Sequence, residues 1–158
     1  MTTTPQGCAQ FIPRGHDRFA TPRGLGITRL NYKTASADTD GRLFVIEQTM
    51  LAKGGPPRHL HTDQEEWFYG LEGEFVIEVG DERFTLHPGD SAFAPRRIPH
   101  VWTYVGTGLG RLLIAFTPAG QMEAFFNAVA KTNAMPAQDP AFWRAHGMEL
   151  MGPPLAVD

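Results

Sequence analysis

Gly54-Gly55-Pro56-Pro57-Arg58-His59-Leu60-His61-Thr62-Asp63-Gln64-Glu65-Glu66 places two histidines one residue apart behind a pair of prolines, with a carboxylate further along the same run. Pro56 and Pro57 exclude a helix at this point, and Arg58-His59-Leu60-His61 has no helical apolar period. In an extended chain residues i and i+2 share a face, so a strand lets His59 and His61 address one metal ion. The pair alone is a weak motif, because random placement of the six histidines would give about 0.2 such pairs per chain. His100 downstream adds a third imidazole, and Glu66 adds a carboxylate. Strand parity lets only one of Glu65 and Glu66 face inward.

The same extended texture continues on both sides. Ile27 to Tyr32, Leu43 to Met50, Glu66 to Leu71, Phe75 to Val79, Arg83 to Leu86, Ser91 to Ala94, Val101 to Tyr104 and Leu112 to Phe116 are short runs rich in β-branched and aromatic residues. Gly, Pro and Asp interrupt them, as in Glu72-Gly73, Val79-Gly80-Asp81-Glu82 and Pro88-Gly89-Asp90. Short strands at hairpin spacing predict an all-β antiparallel sandwich or barrel, and no helix-length segment intervenes to support a parallel sheet.

Three parts are expected along the chain: an extended arm over 1–24, a β-barrel over 25–118, and C-terminal helices and tail over 119–158. Met122, Phe125, Phe126 and Val129 fall at helical spacing and predict a helix packed on the outside of the β-body. A second helix should begin at Asp139, with Pro140 at its first position and Gly147 at its stop. The tail from Met148 to Asp158 is expected to cover an edge or a dimer contact.

Composition narrows the function. Net charge of −3 and 20% charged residues give no basic excess, so no nucleic-acid partner and no anionic membrane is expected. The N-terminus lacks the features of a secretory signal and no stretch is long enough to span a bilayer, which predicts a cytoplasmic protein. Cys8, the single cysteine, excludes an internal disulfide and a Cys-rich zinc site. Imidazole and carboxylate donors suit a single divalent ion of Fe, Mn, Ni, Co, Cu or Zn, with open positions left for substrate, water or dioxygen.

The spacing of these donors resembles the two motifs of the cupins. His59-Leu60-His61, four residues, Glu66, six residues and Gly73 follow the first motif, with its leading glycine one residue late at Gly54. Gly89, five residues, Pro95, one residue, Arg97, two residues and His100 follow the second, with Arg97 in place of its inner glycine and Tyr104 in place of its asparagine. The resemblance implies a cupin barrel, jelly-roll-like, holding one metal ion on His59, His61, Glu66 and His100. It also implies a homodimer, with the arm and tail as contacts.

Over Arg18 to Leu155 the chain is similar to single-domain cupins described as quercetinase-like, through Gly54-Gly55-Pro56-Pro57, Thr117-Pro118-Ala119-Gly120 before Phe125-Phe126, and Gly152-Pro153-Pro154-Leu155. That similarity implies a metal-dependent dioxygenase acting on a flavonol-like or other phenolic or enolic small molecule, with Glu66 taking or sharing the substrate's hydroxyl proton. Parity adds Phe68, Trp102 and Tyr104 as candidate pocket residues. Two alternatives stay open: a non-oxidative lyase, cyclase or isomerase using the metal as a Lewis acid, and a small-molecule binding protein without catalysis. His16, His87 and His146 read as solvated or structural, and Gly106 to Gly110 as a strand connection.

Overall fold

A computed structural model describes residues 7–158. The strands are β1 (Thr28–Thr34), β2 (Phe44–Met50), β3 (Arg58–His61), β4 (Glu65–Glu72), β5 (Phe75–Val79), β6 (Glu82–Leu86), β7 (Ser91–Ala94), β8 (His100–Tyr104), β9 (Gly110–Thr117) and, after two helices, β10 (Met148–Gly152). The helices are α1 (Met122–Ala130) and α2 (Pro140–Ala145). Two five-stranded sheets face each other, ordered β1-β2-β9-β4-β7 and β10-β3-β8-β5-β6, and every pairing is antiparallel. The expected all-β class and the C-terminal helices are therefore present.

Period-two alternation builds the interior. Leu30 and Tyr32 of β1, Phe44, Ile46 and Met50 of β2, Phe68 of β4, Phe75 and Ile77 of β5, and Leu112, Ile114 and Phe116 of β9 are all buried and form one cluster. Each such side chain contributes roughly 1.5–3 kcal/mol relative to exposure, so sheet-on-sheet burial is the main term holding the two layers together. One position depends on having no side chain at all. A Cβ on Gly55 would lie 2.0 Å from the carbonyl oxygen of Trp102, so the approach of the Gly54-Gly55 turn to β8 requires glycine there.

The N-terminal segment from residue 7 to 24 runs along the barrel without a named strand; residues 1–6 of the expected arm lie outside the described residues. Asp17 fixes it, accepting from Arg23 Nη1 at 2.6 Å and from the Tyr32 backbone N–H at 2.7 Å. Arg18 and Asp38 pair at 3.0 Å. Cys8 is exposed.

The C-terminal region differs from expectation in two respects. The tail does cover an edge, but it does so as a strand, β10, paired with β3 from Met148 opposite His61 to Gly152 opposite Arg58. Short Met- and Leu-containing runs have no strong strand bias, which hid it. Met122, Phe125, Phe126 and Val129 are buried on α1 as the spacing predicts, but three of them face a cavity at the barrel's end and not only its outer wall. Asp139 caps α2 by accepting from the Ala141 N–H, Pro140 occupies the first turn, and Gly147 takes φ +79° just past the end.

Candidate metal centre

Strand pairing gathers the candidate ligands from both sheets. His59 on β3 lies opposite His100 on β8, and parity turns His61 to the same side as His59. Glu66 comes from β4 of the facing sheet, where it lies opposite Phe116 and Ala94. Its neighbour Glu65 points out and is held by Arg96 at 2.7–3.0 Å, so parity separates the two carboxylates as the sequence requires. One ligand atom from each of His59, His61, Glu66 and His100 lies within 4.8 Å of the others, and all four residues are buried. Small rotamer shifts bring such a set to the metal–ligand distances of about 2.0–2.2 Å that nitrogen and carboxylate donors adopt.

Hydrogen bonds to the far side of two rings decide which nitrogen faces the centre. His59 Nδ1 lies 2.8 Å from the Pro57 carbonyl and His100 Nδ1 lies 3.3 Å from the Ile98 carbonyl. A carbonyl only accepts, so each Nδ1 donates and each Nε2 is turned to the centre. His100 Nε2 nevertheless lies 2.6 Å from Glu66 Oε2, and His61 Nε2 lies 2.9 Å from the same oxygen. The His61 approach lacks hydrogen-bond geometry, which leaves both its buried nitrogens without a partner. Three imidazoles and a carboxylate thus converge on one buried point, where a cation would be served by all four. The donor set fits a divalent metal ion.

Electrostatics agree. Burial together with the neighbouring His100 and His61 pushes His59 down to about 3, so it is neutral and available as a ligand at neutral pH. Burial alone would raise the Glu66 carboxyl, but the His100 and His61 contacts outweigh it and hold the group below the usual carboxylate range. Glu66 is thus kept ionised.

Beside these ligands lies an apolar cavity of about 40 Å³, room for roughly three waters. His59, Glu66, Gln48, Met50 and Trp102 line it from the barrel, and Met122, Phe125, Phe126 and Trp143 close it from the helices. Trp143 rests against His59 with ring centroids 5.2 Å apart, and its indole N–H donates to the Ala137 carbonyl.

Residues 46–116, which span β2 to β9, match the Cupin domain family model. The barrel has the fold of the cupins. Among solved structures, KdgF from Halomonas sp. is similar at 16% identity, covering 70% of this chain and 94% of its own, with a TM-score of 0.59. A RmlC-like cupin from Shewanella frigidimarina matches at 19% identity over 73% of this chain and 96% of its own, TM-score 0.56. The polyketide cyclase RemF from Streptomyces resistomycificus matches at 24% identity over 69% and 80%, TM-score 0.53. These likenesses concern the fold. No functionally curated protein matches the sequence.

Within this barrel the three expected pocket residues occupy different surroundings. Trp102 borders the cavity. Phe68 is fully buried behind the site, with its ring edge-on to His100 at 6.0 Å. Tyr104 turns toward Phe75, at 5.2 Å, and its hydroxyl donates to the Thr107 and Gly108 carbonyls, so it organises the β8–β9 connection. Gly73, Gly106 and Gly110 surround that ring, and a Cβ on any of them would meet it within 2.8 Å.

Arg97, which replaces the second motif's inner glycine, keeps the left-handed turn with φ +66°, and its N–H donates to the His61 carbonyl at 2.7 Å. His87 is exposed beside Glu74, His16 is exposed, and His146 packs on Phe125 and Phe142.

Most of the cavity lining was not singled out as pocket residues from the sequence, Gln48, Met122, Phe125 and Trp143 among it. Inward parity on β2 marks Gln48, a polar residue between Ile46 and Met50. Nothing local marks Trp143, because its place depends on how β10 draws α2 back over the barrel.

Proposed function

We propose that this cupin is a metal-dependent dioxygenase acting on a flat phenolic or enolic molecule. One observation supports the reading above the others: the cavity is walled mainly by apolar and aromatic side chains, and among the described residues its only ionisable lining groups are His59 and Glu66, both candidate ligands. A lyase, cyclase or isomerase ordinarily needs a separately placed acid or base to move protons. Here the chemistry falls to the metal, which when bound would supply open coordination positions for an enolate oxygen and for dioxygen.

The chain's own residues do the remaining work. Trp102, Phe116, Phe125 and Trp143 exclude water and favour an aromatic ring. Glu66, held ionised, accepts a hydroxyl proton from the substrate but binds it weakly, so it passes the proton on. The cavity is smaller than a flavonol, so admission requires its walls to yield.

The test is oxygen consumption by the Fe, Mn, Co, Ni and Zn forms with a panel of flavonols and simpler enols. Uptake by redox-active forms and none by the zinc form is expected. No uptake in any form would remove the dioxygenase reading, and turnover without oxygen in the zinc form would replace it with Lewis-acid chemistry.

We also propose that two copies pair through the outer face of the first sheet. Trp67 and Phe93 are cross-strand neighbours there, 37% and 55% exposed, and Trp67 stacks on Tyr69 at 5.6 Å. The flanking Glu65 and Glu47 are neutralised within the chain by Arg96 and Arg111, so a second copy meets no excess of one charge. Light scattering of the W67S/F93S protein should report a monomer where the unaltered chain is a dimer; a monomer in both cases would refute pairing.

A further inference from the structure

Gln48 is an amide, in a largely apolar wall, whose N–H donors have no partner among the described residues. It sits on the inner face of β2 between Leu30 of β1 and Leu112 of β9, is 6% exposed, and lines the same cavity as His59 and Glu66. Among the described residues its side chain makes one hydrogen bond, a 3.5 Å contact with Thr28 Oγ1, and that hydroxyl lies closer to the Thr49 carbonyl at 3.1 Å. A carboxamide carries two N–H donors and an acceptor oxygen, so its donors have no protein partner.

Gln64 provides the internal comparison. It is equally buried, and its amide nitrogen donates to the Pro118 and Ala119 carbonyls at 2.6 and 2.8 Å. Where a buried glutamine serves the fold, this chain satisfies it. Buried polar groups left open toward a cavity are the groups that fix a ligand's orientation and select it.

We propose that Gln48 is a specificity-determining residue that donates a hydrogen bond to a second oxygen of the substrate, remote from the oxygen that approaches His59, His61, Glu66 and His100. The proposal rests on the cavity being the substrate site. It narrows the substrate class to flat aromatic or enolic molecules with an acceptor oxygen, a carbonyl or ether, on the part directed at β2. A ligand without that oxygen leaves the amide unpaired and binds less well.

Acetophenone and α-methylstyrene test this, because they differ in shape only by a carbonyl oxygen against a methylene. Binding of each to chelator-treated, metal-free protein, in which no metal competes for the one carbonyl oxygen, is measured by calorimetry for the unaltered chain and for Gln48→Met. The unaltered protein should prefer acetophenone by about tenfold, the value of one hydrogen bond. Gln48→Met should lose that preference while unfolding at the same temperature or higher, since only the long Thr28 contact is lost and that hydroxyl keeps the nearer Thr49 carbonyl.

An equal preference in both proteins, no preference in the unaltered chain, or no binding of either probe would overturn the proposal. Oxygen uptake assayed in parallel separates the two readings: a Gln48-dependent preference without oxygen uptake leaves the selectivity role standing and removes the dioxygenase.

Discussion

Trp143 packs against His59, ring centroids 5.2 Å apart and planes inclined at 56°, so the C-terminal cap rests directly on a candidate metal ligand. Chain continuity explains the contact. β10 follows α2 and pairs with β3, the strand that carries His59 and His61, so one C-terminal segment both braces the ligand strand and closes the cavity beside it.

Removing the Trp143 ring should therefore loosen the fold and open the site together. Trp143→Ala is expected to cost about 3–5 kcal/mol, the usual penalty for emptying a large buried aromatic position. Trp143→Phe should cost less and enlarge the cavity, strengthening binding of bicyclic phenols. Thermal unfolding and calorimetric titration check the two effects; an unchanged affinity for bulky ligands in the phenylalanine variant would show that Trp143 does not limit entry.

Glu66→Gln keeps size and removes the charge on which His61 and His100 converge. Metal affinity should fall at least about tenfold, because neutral oxygen is a much poorer donor to a divalent ion in a buried site. Elemental analysis and chelator competition give the measurement. Glu65→Gln is the control, since that carboxylate faces outward to Arg96 and should leave metal content unaltered.

The clustering of His59, His61, Glu66 and His100 was legible in the sequence because it depends on local rules. Strand parity places His59 with His61 and separates Glu66 from Glu65, and the prolines before Arg58 enforce the extended chain. The helix over Met122 to Ala130 was legible for the same reason, from its apolar period. What the helix covers was not, because the destination of an apolar stripe depends on long-range packing. Tyr104 shows the limit of parity: it shares a strand face with Trp102, yet the glycines at 73, 106 and 110 draw its ring into the β8–β9 connection.

Acid should unfold the metal-free protein, and the sign follows from burial. His59 has its folded-state pKa pushed down to about 3 from an ordinary 6.5, so the unfolded chain binds the proton more tightly. Its contribution is fully present above about 6.5 and is lost as pH falls from there toward 3. Glu66, also lowered, adds a loss in the same direction below its ordinary 4.5. The melting temperature of chelator-treated protein should fall steadily from pH 7 to pH 4, and His59→Gln should flatten the upper part of that fall. A profile that is flat down to pH 5 in the unaltered chain would contradict a neutral, buried His59.

Arg97 supplies the last test, on the turn that delivers His100. Its φ of +66° is costly for a residue with a Cβ, roughly 1–2 kcal/mol relative to glycine. The backbone is held there because the Arg97 N–H donates to the His61 carbonyl at 2.7 Å, which ties the His100 turn to the His61 strand. Arg97→Gly relieves the strain and keeps that bond, losing only an exposed contact from Nε to the Thr62 carbonyl and a loose approach to Asp63. Exposed contacts of that kind are worth about 0–1 kcal/mol, less than the strain. The variant should therefore melt about 2–4 °C higher, as about 1 kcal/mol does in a chain of this size, with metal content unaltered. A lower melting temperature would mean that the arginine side chain holds the turn more strongly than the backbone resists it.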